Sequence, residues 1–260
     1  MYHPPTKDRL AQLRGFTGGE TGLESFLNQS CLDVVVWHDD FLGDLIRGSA
    51  TSPGVYEKVT GVDGSIDILA DQTNGIAEIR ASDGNGADNE YCGISLPELN
   101  WTGDRNAWMA ARIAIDAITT VKVEVGFTDV TTDAGAVDVL ATPTTTAHDC
   151  ALWCFDTDDT AYWQCVGSKN STTPQKIEGG IAPTATTFET LIVQLHGDSA
   201  KFMRLDQYGN KTYESEWMAA AITAADKICP WIFVQLRAGT IDRNVSLDML
   251  HVEQLRTTTE

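Results

Sequence analysis

Val121-Lys122-Val123-Glu124-Val125-Gly126-Phe127 decides the fold class, because every second residue is apolar and those between are charged or small. An extended chain turns successive side chains to opposite faces, so this run predicts a strand with one face in a core and the other toward water. Similar apolar runs recur along the body. They predict strands over residues 34–42, 54–60, 65–70, 76–81, 90–96, 107–116, 121–128, 150–156, 161–166, 175–178, 190–196, 200–205, 211–217, 231–237 and 246–255. Turn residues stand between them: Val62-Asp63-Gly64, Thr73-Asn74-Gly75, Asp83-Gly84-Asn85-Gly86 and Tyr208-Gly209-Asn210. Short strands parted by turns, with no strand–helix alternation, predict an all-β protein built as a two-sheet antiparallel sandwich or barrel. The one helix expected within the body covers residues 215–225.

The first 33 residues differ. Asp8-Arg9-Leu10-Ala11-Gln12-Leu13-Arg14 reads as one or two helical turns stopped by Gly15, and Leu23, Phe26 and Leu27 have helical spacing. This predicts an extended N-terminal arm with short helices over residues 1–33, followed by a sandwich domain over 34–260. The arm is too short to bury its own apolar residues, so they must pack on the body or on a partner.

With 260 residues, 42% of them apolar, the chain can build a sizeable core. Its net charge is −19, from 18 Lys and Arg against 37 Asp and Glu. Nucleic-acid binders need clustered basic residues, so that class is disfavoured, and the acidity serves solubility through self-repulsion. The charge is uneven: Lys7, Arg9 and Arg14 against Asp8 give the first 14 residues a balance of +2, leaving −21 for the rest. A basic head on an acidic body suits an arm that docks elsewhere. No stretch is long and apolar enough to span a membrane, and Met1-Tyr2-His3-Pro4-Pro5-Thr6-Lys7 opens no signal-peptide apolar run, so synthesis in a reducing cytoplasm is expected. The six cysteines, mostly within apolar runs, are expected to be free thiols acting as small hydrophobes.

The order of these segments resembles a known family. Trp37-His38-Asp39-Asp40-Phe41 is followed by Gly54-Val55-Tyr56 and by Ala107-Trp108-Met109-Ala110-Ala111-Arg112-Ile113. Then come Val125-Gly126-Phe127-Thr128-Asp129, Trp153-Cys154-Phe155-Asp156-Thr157-Asp158 and Tyr162-Trp163. Pro230-Trp231-Ile232-Phe233-Val234-Gln235 and Leu247-Asp248-Met249-Leu250-His251-Val252 close the series. Residues 34–256 thus resemble the concanavalin A-like (laminin-G-like) jelly rolls of tailed-phage structural proteins, of the capsid-decoration or fibre type. The resemblance implies a non-enzymatic virion protein on the capsid exterior, made in the host cytoplasm. Its partners would be the major capsid protein and neighbouring copies of itself, a homotrimer being one arrangement. The docking residues would be Lys7, Arg9, Leu10, Leu13, Arg14, Phe16, Leu23, Phe26 and Leu27 of the arm.

The same fold also hosts glucanases, and their chemistry can be tested residue by residue. A retaining glycosidase needs two carboxylates about 5 Å apart, which the glucanases of this fold supply as Glu-x-Asp-x-x-Glu. The nearest match is Ser65-Ile66-Asp67-Ile68-Leu69-Ala70, where Ser and Ala replace both glutamates. Ala77-Glu78-Ile79-Arg80 and Val123-Glu124-Val125 add no second acid at the right spacing. No catalytic residue is therefore assigned, and a glycan hydrolase ranks last.

Asp156, Asp158 and Asp159 form the densest acidic cluster. Oxygen-rich loops of this kind can hold Ca²⁺, but the same residues make a hairpin turn through Asx hydrogen bonds, and the turn is preferred. No cofactor is assigned beyond that calcium candidate. His148-Asp149-Cys150 and Cys154 suggest zinc, yet Cys150 and Cys154 lie about 13 Å apart along a strand, too far to share one ion. Thr17-Gly18-Gly19-Glu20 lacks the lysine of a phosphate loop, and no Ser/His/Asp arrangement is spaced for nucleophilic catalysis. Trp101, Trp108, Trp153, Trp163, Trp217 and Trp231 could line a sugar platform or fill a core. Only Trp101, in Leu99-Asn100-Trp101-Thr102-Gly103, reads as loop-borne, and it is the ligand-binding candidate of an alternative function: a tail-fibre or carbohydrate-binding, lectin-like module.

Overall fold

The computed structural model describes residues 34–42, 56–69, 75–84, 88–98, 100–172 and 174–256. The arm expected over residues 1–33 lies outside them. The described residues form seventeen strands, in chain order Val34–Asp39 (β1), Glu57–Thr60 (β2), Ser65–Ile68 (β3), Ala77–Arg80 (β4), Tyr91–Ser95 (β5), Trp108–Ile115 (β6), Val121–Thr128 (β7), Val137–Val139 (β8), Thr144–Thr145 (β9), Cys150–Asp156 (β10), Gln164–Ser168 (β11), Gln175–Glu178 (β12), Glu189–His196 (β13), Ser199–Leu205 (β14), Lys211–Glu214 (β15), Cys229–Leu236 (β16) and Asn244–Leu255 (β17). One 3₁₀ turn, Gly103–Arg105, is the only helical element among the described residues.

Two large antiparallel sheets form the sandwich. The eight-stranded sheet runs β15-β14-β13-β6-β17-β4-β3, and β1 also pairs with β17. β17 is long enough to hold two partners on one edge: its first residues pair with β4 and its last six with β1. The seven-stranded sheet runs β12-β11-β10-β7-β16-β5-β2. Between the sheets, Val121, Val123, Val125 and Phe127 of β7 share one buried cluster with Met109, Ala111, Ile113 and Ile115 of β6 and with Leu247, Leu250 and Val252 of β17. The period-two alternation therefore places the inner face as expected.

The outer face of β7 departs from expectation. Lys122 and Glu124 were expected to meet water, yet both are fully buried. Residues 129–149, which the strand pattern left as a connection, carry the small hairpin β8–β9 and fold across the outer face of the seven-stranded sheet as a roof. Its Ala136, Val137, Leu140 and Ala147 pack on Cys150, Leu152, Cys154 and Val166 as a second apolar cluster.

The roof is tied down through the two charged side chains. Lys122 Nζ stands 2.9 Å from Glu124 Oε1 and donates to the carbonyls of Ala134 (2.8 Å) and Val137. Glu124 accepts from the amides of Ala136 (2.8 Å) and Val137 (2.9 Å) and from Trp231 Nε1 (2.9 Å). All three ammonium protons and both carboxylate oxygens are thereby engaged, which is the condition under which a buried ion pair is tolerated. Gly135 is needed where the roof meets the pair: its φ is +74°, and a Cβ there would stand 2.7 Å from Glu124 Oε1.

Residues 215–225 hold no helix. Turns replace it, anchored by a bridge between Ala200 and Met218 and by the amide of Phe202 on Ser215 Oγ. The five described cysteines, Cys92, Cys150, Cys154, Cys165 and Cys229, are free and buried.

Removing one partner of the buried pair leaves the other charge uncompensated. Lys122→Met is expected to cost about 3–5 kcal/mol in chemical denaturation. Glu124→Gln should cost a similar amount, because it leaves the Lys122 ammonium buried without its counter-charge and turns an amide N–H toward donors. A loss below about 1 kcal/mol for Lys122→Met would show that the roof does not depend on the pair.

Candidate functional site

The sequence-predicted sites are not brought together. The arm residues Lys7 to Leu27 and Ala70 of the glucanase-like stretch lie outside the described residues. Trp101 does not offer a platform: it is 4% exposed, belongs to the main core, and exchanges backbone hydrogen bonds with Ile228 at 3.0 and 2.9 Å. The flanking Asn and Gly read as a loop, but the bridge to Ile228 makes the residue part of the fold.

Asp156, Asp158 and Asp159 form the expected turn. Asp156 accepts from the amide of Asp158 at 3.1 Å, and its carbonyl accepts from Asp159 and Thr160 at 3.0 Å. Arg237 grips the Asp156 carboxylate through Nε (2.9 Å) and Nη2, and Lys176 stands 2.9 Å from Asp159. Burial opposes the charge of Arg237, but Asp156 and Asp158 outweigh it and raise its pKa. Side-chain cations thus occupy the positions beside these carboxylates where an ion would bind.

Two further acids are held in structural bonds. Glu189, in the floor of a shallow cleft beside Thr187, Phe188, Tyr208 and Thr212, accepts from Trp163 Nε1 at 2.9 Å and from Arg204 Nε. Burial pushes its pKa up against the pull of Arg204. Asp206, in the same cleft, accepts from the amides of Tyr208 and Asn210 and from Asn210 Nδ2 at 2.8–3.0 Å, which lowers its pKa. Both carboxylates serve a turn or an ion pair.

Trp153, Trp163 and Trp231 are fully buried, whereas Trp217 is 42% exposed and Trp108 is partly exposed. Trp108 lies on the outer face of the eight-stranded sheet. Across β17 its ring meets His251, with centroids 4.7 Å apart, and His251 faces His38 of β1 with Nδ1 atoms 3.3 Å apart. Across β13, Trp108 pairs with Gln194. His196, two residues on and so on the same face, bonds Asn106 at 2.8 Å and stands 5.9 Å from the Trp217 ring. These residues give an open surface that is both aromatic and polar. Periodicity could not single it out, because its residues come from segments far apart in the sequence.

No protein-family model and no curated protein matches the chain. Solved structures do match. A protein of unknown function from Shewanella oneidensis MR-1 shares 14% identity over 94% of this chain and 99% of that one, with a TM-score of 0.63. Peanut lectin shares 10% over 86% and 99%, with a TM-score of 0.55. The CBM2 module of the evolved Dit of Lactobacillus casei BL23 phage J-1 shares 10% over 88% and 99%, also at 0.55. At these identities the likeness is one of fold, and the fold is the concanavalin A-like, legume-lectin-type sandwich. No described helix is long and apolar enough to cross a membrane.

The histidine pair joins the first strand to the body and gives it a pH dependence. Burial and then His251 lower the pKa of His38 from the usual 6.5, against the opposing pull of Asp40 and Asp39. Glu253, at 3.7 Å from His251 Nε2, is the acid nearest the second ring. A lowered folded pKa means that the unfolded strand binds the proton more strongly. The stabilisation is whole above about pH 6.5 and is lost as pH falls below it. Hydrogen-exchange protection of the β1 amides should therefore fall between about pH 7 and about pH 5, and His38→Gln should flatten that fall. Protection that does not change with pH in the wild type would refute the coupling.

Proposed function

We propose that this chain is a non-catalytic structural module of a tailed-phage virion, whose sandwich projects outward while residues 1–33 dock on the shell of major capsid protein. The observation that carries the non-catalytic part is how the buried acids on the outer face of the seven-stranded sheet are engaged: beneath the roof Glu124 is saturated by Lys122, Trp231 and two amides, and Asp156 is gripped by Arg237. A glycan hydrolase would need two acids free to reach a substrate, and on β3 Ser65 stands where the glucanase pattern has its first glutamate. The virion setting is supported by the fold shared with the phage J-1 module and by the basic, apolar-studded arm.

Residues 1–33 precede Val34, which pairs with Leu255 at the end of β17. Each arm side chain fully buried on a partner contributes about 1.5–3 kcal/mol, and repetition over a shell multiplies weak contacts. Deleting residues 1–33 should leave cooperative unfolding of the sandwich intact and abolish co-sedimentation with capsids. Retained co-sedimentation would overturn the docking role, and immuno-electron microscopy that labels only tails would move the protein from shell to tail.

A second proposal, carbohydrate binding, is favoured by the open Trp108–His251 and Trp217–His196 surface and by the lectin and carbohydrate-module neighbours. On a glycan array, Trp108→Ala and Trp217→Ala should then each reduce binding by about tenfold or more, while Trp101→Ala acts only through stability. No binding by the wild type to any glycan would remove this second proposal.

A further inference from the structure

The exposed apolar side chains of the sandwich are unevenly placed. Six of the twelve large ones among the described residues, Val62, Ile118, Tyr162, Ile181, Tyr208 and Ile241, are 41% to 90% exposed and stand at one end of the sandwich. Each lies in a loop where β2, β6, β10, β12, β14 or β16 finishes and the next strand begins. Hydrogen bonds join these loops into one surface. The Arg237 amide donates to the Thr120 carbonyl at 2.9 Å, Arg243 Nε to the Thr119 carbonyl at 2.8 Å, and the Val121 amide to Thr157 Oγ1 at 3.0 Å. Ile181 and Tyr208 line one cleft, and the Val62 amide donates to Glu90 Oε2 at 3.0 Å. Thr120 has a φ of +52°, costly for a β-branched residue, and Arg243 Nη2 donates to its hydroxyl at 2.9 Å. The loop that carries Ile118 is thereby fixed before any partner arrives.

Scattered singly, such residues are ordinary; gathered on one surface, they mark an interaction site. Charge selects the partner. These loops also carry Asp63, Asp83, Asp88, Glu90 and Asp158, whereas Arg237 and Arg243 are bonded to Asp156 and Asp116. An identical end is therefore repelled, and a basic apolar segment is attracted. The chain contains one: in residues 7–16, Lys7, Arg9 and Arg14 are interleaved with Leu10, Leu13 and Phe16. We infer that this loop end is a docking surface for residues 7–16 of a second copy of the chain. The inference goes beyond the shell and rests, like that reading, on the arm being a docking segment. A copy's own loop end is poorly placed for it. Val34 pairs with Leu255, whereas the loops lie at the Asn244 end of β17. The 12 residues of β17 span about 40 Å. Residues 17–33 separate the segment from Val34, and a relaxed connection of that length spans about 23 Å. The loop end of another copy carries no such restriction. The contact joins unlike surfaces, so it does not close on itself and builds open, head-to-tail chains of copies.

Sedimentation velocity of the full chain tests this. The sedimentation coefficient should rise with concentration, around a Kd on the order of 10⁻⁵ M, and the rise should shrink in about 0.5 M NaCl. Two full-length variants separate the surfaces. Leu10→Ser with Leu13→Ser disables the arm, and Ile118→Ser with Ile241→Ser disables the loop end at exposed positions. Each variant alone should stay monomeric. An equimolar mixture of the two should form a dimer and stop there, because one working arm meets one working loop end. Concentration-independent sedimentation of the wild type, self-association of the Ile118/Ile241 variant at the wild-type level, or a mixture that stays monomeric would each overturn the inference. Co-sedimentation with capsids reports separately on the shell: the Leu10/Leu13 variant should lose it and the Ile118/Ile241 variant should keep it, so either reading can fail without the other.

Discussion

Lys122 and Glu124 stand two residues apart on the central strand of the seven-stranded sheet, on the side that faces away from the main core. A strand of this alternation would leave them in water, where an ion pair is worth little. Here the chain between β7 and β10 folds back over them and hands its backbone groups to their charges: the carbonyls of Ala134 and Val137 to the ammonium, the amides of Ala136 and Val137 to the carboxylate. Roof and pair need each other. Without the roof the pair has no reason to be dry, and without the pair the roof's backbone groups would be buried without partners. The apolar contacts of Val137 and Leu140 with Leu152 and Cys154 then complete a second core.

This arrangement governs what the molecule can offer to others. A concanavalin A-like sandwich has two broad outer faces. With one roofed, recognition falls to the other face, to the rim, and to the segments that leave the body. The roof also explains the tryptophans. Trp231, on the outer side of β16, becomes a fully buried donor to Glu124 and stacks on Phe233 with centroids 5.3 Å apart. Trp108, on the opposite sheet, has no cover of that kind and keeps part of its ring open beside His251. Two residues with the same intrinsic taste for a rim or a core are thus separated by which sheet is covered.

The sandwich was legible in the sequence because its inner faces obey a period of two, as in β7, and because its turns carry Gly, Asn and Asp. What was hidden depends on contacts far along the chain. Nothing local to Lys122 and Glu124 distinguishes a solvated pair from one roofed by residues more than ten positions away. Trp101 looked loop-borne from its Asn and Gly neighbours, but a backbone bridge to Ile228, over a hundred residues on, decides its burial. The helical spacing in 215–225 was overridden by the tertiary tie between Met218 and Ala200. Asp156 was legible as a turn residue; that Arg237 would grip it was not. The surface of Trp108, His251 and His38 is assembled from β6, β17 and β1, so no single window of sequence contains it.

The charge balance follows from the same structural commitments. Lys122, Lys176, Arg204 and Arg237 are each bonded to an acid within the fold, and Arg243 to Asp116 and the carbonyl of Thr119. These cations hold the sandwich together and are not available to a partner. Each of these pairs is neutral, so the rest of the chain still carries the full net charge of −19. Such a surface repels nucleic acid and other acidic surfaces, and it leaves three kinds of attraction: neutral polar ligands on exposed aromatic rings, bound cations, and contacts made by a segment of opposite charge. Lys7, Arg9 and Arg14 give the chain such a segment, with Leu10, Leu13 and Phe16 interleaved among them. An acidic body with a basic, apolar head has a built-in polarity: the head can adhere where the body is kept at a distance. That asymmetry is written in the sequence itself, +2 over residues 1–14 against −21 over the rest, and the ion pairs within the fold leave it unchanged.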